Sequence, residues 1–132
     1  MIPPSGPPTV LIVDEDVGFI WWLGEILNEV GYQTVPALSA QQAVALFEET
    51  GFVAELVVVN PGLPGVPAML ETLSRSGAPG VVLVENRDVD SIPGIRALAT
   101  LKRPSGWEPV SRVEWLRTMR RVVQQLDNRA AG

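Results

Sequence analysis

The stretch Leu56-Val57-Val58-Val59-Asn60-Pro61-Gly62-Leu63-Pro64-Gly65 decides the fold. Its apolar run is too short for a helix, and it stops at a small polar residue followed by a Pro/Gly-rich turn. Such a run is the signature of a parallel strand buried on both faces, with its carboxyl end opening into a loop. In open α/β sheets that end of the strand is where ligands and chemistry collect. The residue placed there is Asn60, an amide that neither ionises nor serves as an effective nucleophile.

On either side of this strand the chain alternates strand and helix patterns. Thr9–Val13 is an apolar strand closed by Asp14-Glu15-Asp16, and Val17–Val30 follows as a helix. Its inner stripe is Ile20, Leu23, Leu27 and Val30, widened by Phe19 and Ile26, and Gly31 ends it. Tyr32–Pro36 alternates weakly and contains a proline, which suits an edge strand. Ser39 and Gln42 form a capping box for a helix over Ala40–Glu49, with Ala43, Val44, Leu46 and Phe47 facing inward.

After Asn60 a short helix is expected around Val66–Ser74, with Pro67 tolerated in its first turn. Val81–Val84 is a second continuous apolar strand and Ala97–Leu101 a fifth strand. Between them Pro93-Gly94 interrupts any helix over Asp88–Arg96. Pro109 opens the last helix, where Trp115, Leu116, Met119, Val122, Val123 and Leu126 make a wide docking stripe. That spacing assigns Trp115 to the core. Alternating strands and helices imply a parallel sheet covered on both faces, with right-handed crossovers and strand order 2-1-3-4-5. Met1–Pro8, half proline, is a flexible or polyproline-like leader; residues 9–126 form one domain, and 127–132 are a tail.

Composition excludes several functions. The chain has no cysteine and no histidine, which removes thiolate metal sites and the commonest general base. No apolar stretch reaches the length of a membrane span, and the leader lacks the regions of a signal peptide, so a cytoplasmic protein is expected. Charge is uneven: residues before Arg75 carry a formal −9 with no base, and the remainder carries +4. Such polarity steers charged partners, although solvated helix faces also produce it. The arginines of the last helix do not make a nucleic-acid binder of so acidic a chain.

The rim formed by the strand ends collects Asp14, Glu15, Asp16, Asn60, Glu85, Lys102 and Arg103. Here the chain resembles the receiver domain of two-component response regulators, which has a flavodoxin-like fold. The resemblance runs from about Thr9 to Leu126. Val13-Asp14-Glu15-Asp16 is similar to the family's acidic pair, and Asn60-Pro61-Gly62-Leu63-Pro64-Gly65 to its phosphoacceptor segment, usually Asp-x-x-Leu-Pro-Gly. Arg103-Pro104 falls on its Lys-Pro.

In the family two acids bind Mg²⁺ and the central Asp attacks a phosphoryl donor. A Thr or Ser then hydrogen-bonds the new phosphoryl group, and the Lys pairs with it. In this chain Asp14 and Glu15 keep the acids. Asn60 replaces the phosphoacceptor, Glu85 the Thr/Ser and Arg103 the Lys, the following Pro104 favouring Arg103 over Lys102 for that position. Asn60 is not rescued by deamidation, because Pro61 offers no N–H for the cyclisation. The resemblance therefore implies a pseudo-receiver with no catalytic residue.

Two states of the acids stay open: Asp14, Glu15 and the Asn60 oxygen holding a weak Mg²⁺, or a solvated cluster tied up by Arg103 or Lys102. Glu85 and Arg103 are expected to pair with each other. Arg103 follows Glu85 by 18 residues, about one helical turn fewer than is usual in the family. The fourth helix is thus truncated or replaced. The implied function is a phosphorylation-independent signalling module with a protein partner or a second copy of itself, either stand-alone or part of a longer chain. A phosphorylatable receiver in a phosphorelay and a small-ligand binder on the same scaffold are the alternatives. Ile20 and Trp21, near the mouth of the acidic site, are the candidate partner surface.

Overall fold

A computed structural model describes residues 8–29, 31–103 and 109–131, with side chains of the last helix described over 112–126. The elements are β1 (Thr9–Val13), α1 (Val17–Glu29), β2 (Gln33–Ala37), α2 (Ala40–Thr50), β3 (Leu56–Val59), α3 (Val66–Leu73), β4 (Gly80–Val84), β5 (Ala99–Leu101) and α4 (Pro109–Ala131). The five strands are parallel, in the order β2-β1-β3-β4-β5. This is the order expected of a flavodoxin-like receiver fold, and it puts proline-containing β2 on an edge.

Apart from Thr9 at the start of β1, the central strands are apolar because their alternate residues feed two cores. Val10, Ile12, Val58, Val82 and Val84 pack with Phe19, Ile20, Leu23 and Leu27 of α1 and Trp115, Met119 and Val122 of α4. Leu11, Val13, Val57, Val59, Val81 and Leu83 face the opposite way, onto α2 and α3. Trp115 lies in the first core, as its helical spacing requires. No described helix is long and apolar enough to cross a membrane.

Local chemistry fixes the ends of the helices. Gly31, at φ 91°, donates to Asn28, and Tyr32 donates to Leu27. These are the two bonds of a Schellman stop, in which glycine takes the left-handed position. Ser39 accepts from the Gln42 amide, while Gln42 Oε1 accepts from the backbone of Leu38, one residue before the cap. α3 ends at Leu73, earlier than expected, and tightens into a 3₁₀ turn over Ser74–Ser76.

Residues 85–98, between β4 and β5, contain no helix. Pro93-Gly94 instead occupies the centre of a turn closed by Ile95 N–H donating to Ile92 C=O at 3.0 Å, with Gly94 at φ 78°. Pro at the first central position and a positive-φ Gly at the second make it type II. Ile92 is buried, and Ile95 and Ala97 pack beside it on the α2/α3 side. Those side chains cover the sheet where a helix would lie. β5 begins at Ala99 and not at the expected Ala97, although Leu98 N–H still donates to Val81 C=O at 2.7 Å.

Candidate functional site

The register brings the strand ends to one rim. Val13 pairs with Val59, Val59 with Leu83 and Val84 with Leu101. The next residues therefore emerge side by side: Asn60 donates its backbone N–H to Val13 C=O, and Glu85 donates to Leu101 C=O.

Asp14 is 0% exposed, and a buried carboxylate needs a cation or several donors. It has both. Its Oδ1 accepts from the Asp16 backbone at 2.9 Å, and its Oδ2 accepts from Arg103 Nη2 at 2.6 Å. The other terminal nitrogen of Arg103, Nη1, donates to Asp16 Oδ2 at 2.9 Å. Asp16 Oδ1 meanwhile caps α1 by accepting from Phe19 N–H at 3.1 Å. One guanidinium thus spans two carboxylates, a task for which its fixed fork is suited.

Arg103 is itself positioned from below. Its Cζ stands 5.2 Å from the centroid of the buried Phe19 ring, within cation–π range. Phe19 packs edge-on against Trp115 at 5.5 Å, and Trp115 Nε1 donates to the carbonyl of Lys102 at 3.1 Å. That bond holds the backbone immediately before Arg103. The charge balance follows this geometry. The Phe19 amide, and then Arg103, hold the Asp16 carboxyl below its usual value despite an opposing effect of burial. Burial alone would lower the Arg103 pKa, but Asp14 and then Asp16 outweigh it and raise it.

Asn60 forms a second closed cluster. Its Oδ1 accepts from Gly62 N–H at 3.0 Å and from Asn86 Nδ2 at 2.9 Å. Asn86 Oδ1 in turn accepts from the backbones of Asp88 and Val89 at 2.9 and 3.2 Å. Gly62 is required by this arrangement, since a Cβ there would lie 2.4 Å from Asn86 Nδ2.

The expected rim is therefore present, with three changes. Glu85 does not pair with Arg103: it is exposed, and the guanidinium turns to Asp14 and Asp16 instead. The buried Asp14 has lost its water and gains more from a counter-charge than a solvated Glu85 does. Asn86, one residue further on, makes the contact to Asn60 that sequence reasoning did not assign. Two facing amides, each donor and acceptor, were the available signal. Ile20, at 7% exposure, belongs to the core and not to a partner surface, because it falls on the inner stripe of α1; Trp21 is 66% exposed.

Glu15 and Lys102 are exposed on the rim, and Pro104 lies outside the described residues. Among the described residues no group of three or more acids, histidines or cysteines is arranged to hold a metal. Of the oxygens expected to hold Mg²⁺, Asp14 Oδ1 and Oδ2 and Asn60 Oδ1 already accept the bonds described above, while the Glu15 carboxylate is exposed. A divalent cation reaching Asp14 Oδ2 would compete there with the Arg103 guanidinium.

No family model matches the chain, and no curated protein does. Its fold is nevertheless shared by solved receiver domains. The signal receiver domain of an HD domain-containing protein from Pseudomonas fluorescens Pf-5 superposes with a TM-score of 0.76 at 19% identity, covering 99% of this chain and 97% of that one. A receiver domain protein (CheY-like) from Methanospirillum hungatei JF-1 gives 0.70 at 19% identity, covering 94% and 99%. A chain from the complex of the CheA3 P1 domain with CheY6 of R. sphaeroides gives 0.69 at 19%, covering 91% and 99%. The chain has the CheY-like receiver fold.

Proposed function

We propose that this chain is a pseudo-receiver: a signalling module that binds a protein partner without being phosphorylated and without catalysing a reaction. The observation that carries this is the Arg103 guanidinium lying across Asp14 and Asp16, beside an Asn at the phosphoacceptor position. In a working receiver the acidic pocket is open to a divalent cation and the nucleophile is a carboxylate. Here the cation is part of the polypeptide, and the amide at Asn60 has its oxygen saturated by Gly62 and Asn86.

Arg103 already supplies a counter-charge to Asp14 and Asp16, which supports a module that works without Mg²⁺. The rim is held in one arrangement by covalently attached groups, and the domain offers partners a constant surface. Protein partners are the expected ligands, since a receiver fold also appears in the complex between CheY6 and the CheA3 P1 domain. The test is incubation with acetyl phosphate and Mg²⁺, read by intact mass. The mass should stay unchanged; a hydroxylamine-labile phosphoryl adduct would overturn the proposal.

A further inference from the structure

The outer faces of α1 and α4 form one surface, since both helices cover the same face of the sheet. Their seam is closed by the Trp22 and Trp115 rings, with centroids 6.3 Å apart, and by an ion pair between Glu29 and Arg112. Each helix presents an exposed row at i, i+4 and i+8: Val17, Trp21 and Glu25 on α1, and Val113, Arg117 and Arg121 on α4. Val17, Trp21 and Val113 are more than half exposed. Gly18, lacking a side chain, leaves a shallow apolar cleft between Val17, Trp21 and Trp22.

The two rows carry opposite charge. The α1 side carries Glu25 and no base, Glu29 being paired with Arg112 in the seam, whereas the α4 side adds Arg120 to Arg117 and Arg121, against the single described acid Glu114. From this complementarity we infer that the α1/α4 face docks a second copy of the chain, α1 of each protomer lying on α4 of the other. A basic, apolar partner would satisfy the α1 row and leave the α4 row uncovered. A two-fold partner satisfies both at once, because an isologous interface makes every contact twice. Trp21 is the anchor, of the residue type that dominates interface energetics, and Val113 of the other copy matches the cleft beside it. The inference rests on the reading of this domain as a binding module and names its partner.

The test is sedimentation equilibrium of the full chain over about a hundredfold range of concentration, since association follows mass action. The wild type should dimerise, more weakly at high salt, where exposed charges are screened. Trp21→Ala should weaken the dimer at least about tenfold, as an interface hot spot does. Glu25→Arg and Arg117→Glu should each be monomeric alone, with native circular dichroism, and should form a dimer when mixed. Only a two-fold α1-on-α4 contact restores both opposite-charge pairs in that mixture. A wild type that stays monomeric, a dimer indifferent to Trp21→Ala, or a mixture that does not associate would overturn the inference. Monomeric protein that still resists acetyl phosphate leaves the pseudo-receiver proposal standing. A phosphorylated dimer does the reverse.

Discussion

Arg103 and Asp14 meet at 2.6 Å across the rim, one at the end of β5 and the other at the end of β1. The carboxylate is fully buried and the guanidinium is not, so the pair is asymmetric. Removing the base strands a charge in the interior, whereas removing the acid leaves Arg103 within reach of water and Asp16.

Arg103→Ala should therefore destabilise the domain by about 1–3 kcal/mol, below the range for a wholly buried pair because Arg103 is partly exposed. Arg103→Lys should recover only part of this, since a single ammonium does not span Asp14 and Asp16 as the guanidinium fork does. Urea unfolding measures both. A change within about 0.5 kcal/mol for the alanine variant, ordinary for a surface site, would show that the bridge contributes little.

Acidification should weaken the fold through Asp16. Its carboxyl is held below the ordinary 3.8, first by the Phe19 amide and then by Arg103. A group with a depressed folded pKa stabilises above its unfolded value and loses that contribution as pH falls through the folded one. Asp16→Asn keeps an oxygen to cap α1 but does not titrate. Thermal unfolding between pH 5 and pH 3, a window set about the ordinary carboxylate pKa, should show a smaller loss of stability in the variant than in the wild type.

Gly62→Ala should disrupt the Asn60–Asn86 hydrogen bond, because the new methyl would stand 2.4 Å from Asn86 Nδ2. The loss should be about 1–2 kcal/mol, for a crowded side chain and a broken polar contact. Asn86→Ala removes both the obstacle and the bond, so the double variant should be more stable than the two separate losses add up to. A double-mutant cycle checks this, and strict additivity would mean that the two residues do not share one interaction.

The two tryptophans most relevant here should behave oppositely. Trp21→Ala should leave stability within about 0.5 kcal/mol, as expected of an exposed position. Trp115→Ala should lose about 3–5 kcal/mol, through a cavity in the α1/α4 core. It would also release the Lys102 carbonyl that Trp115 Nε1 holds. Chemical denaturation of both variants distinguishes packing from surface display.

The layout was legible in the sequence because buried parallel strands are continuous apolar runs and Pro93-Gly94 excludes a helix. Asp14 and Asn60 were legible because strand ends in such sheets share a rim. The direction in which Arg103 reaches was not legible. Glu85 and Asp14 are both acids near β5, and only burial, which sequence does not display, decides between them. Asn86 was obscured for a related reason: which of two adjacent residues after β4 faces Asn60 depends on how the chain leaves the strand. For Ile20 the helical stripe had already assigned an inward place, and nearness to the acidic mouth was the weaker guide.

The Arg103 bridge also has a consequence for the order of folding. It joins positions 89 residues apart, and the bond to Asp16 spans 87. Contacts between positions so far apart carry a large loop-closure cost, and we expect the bridge to form after the transition state. Interactions absent from the transition state slow unfolding without hastening folding. Arg103→Ala should accordingly steepen escape from the native state while leaving the refolding limb of the chevron in place. The arginine then acts as a latch on a finished sheet, extending the lifetime of the native rim.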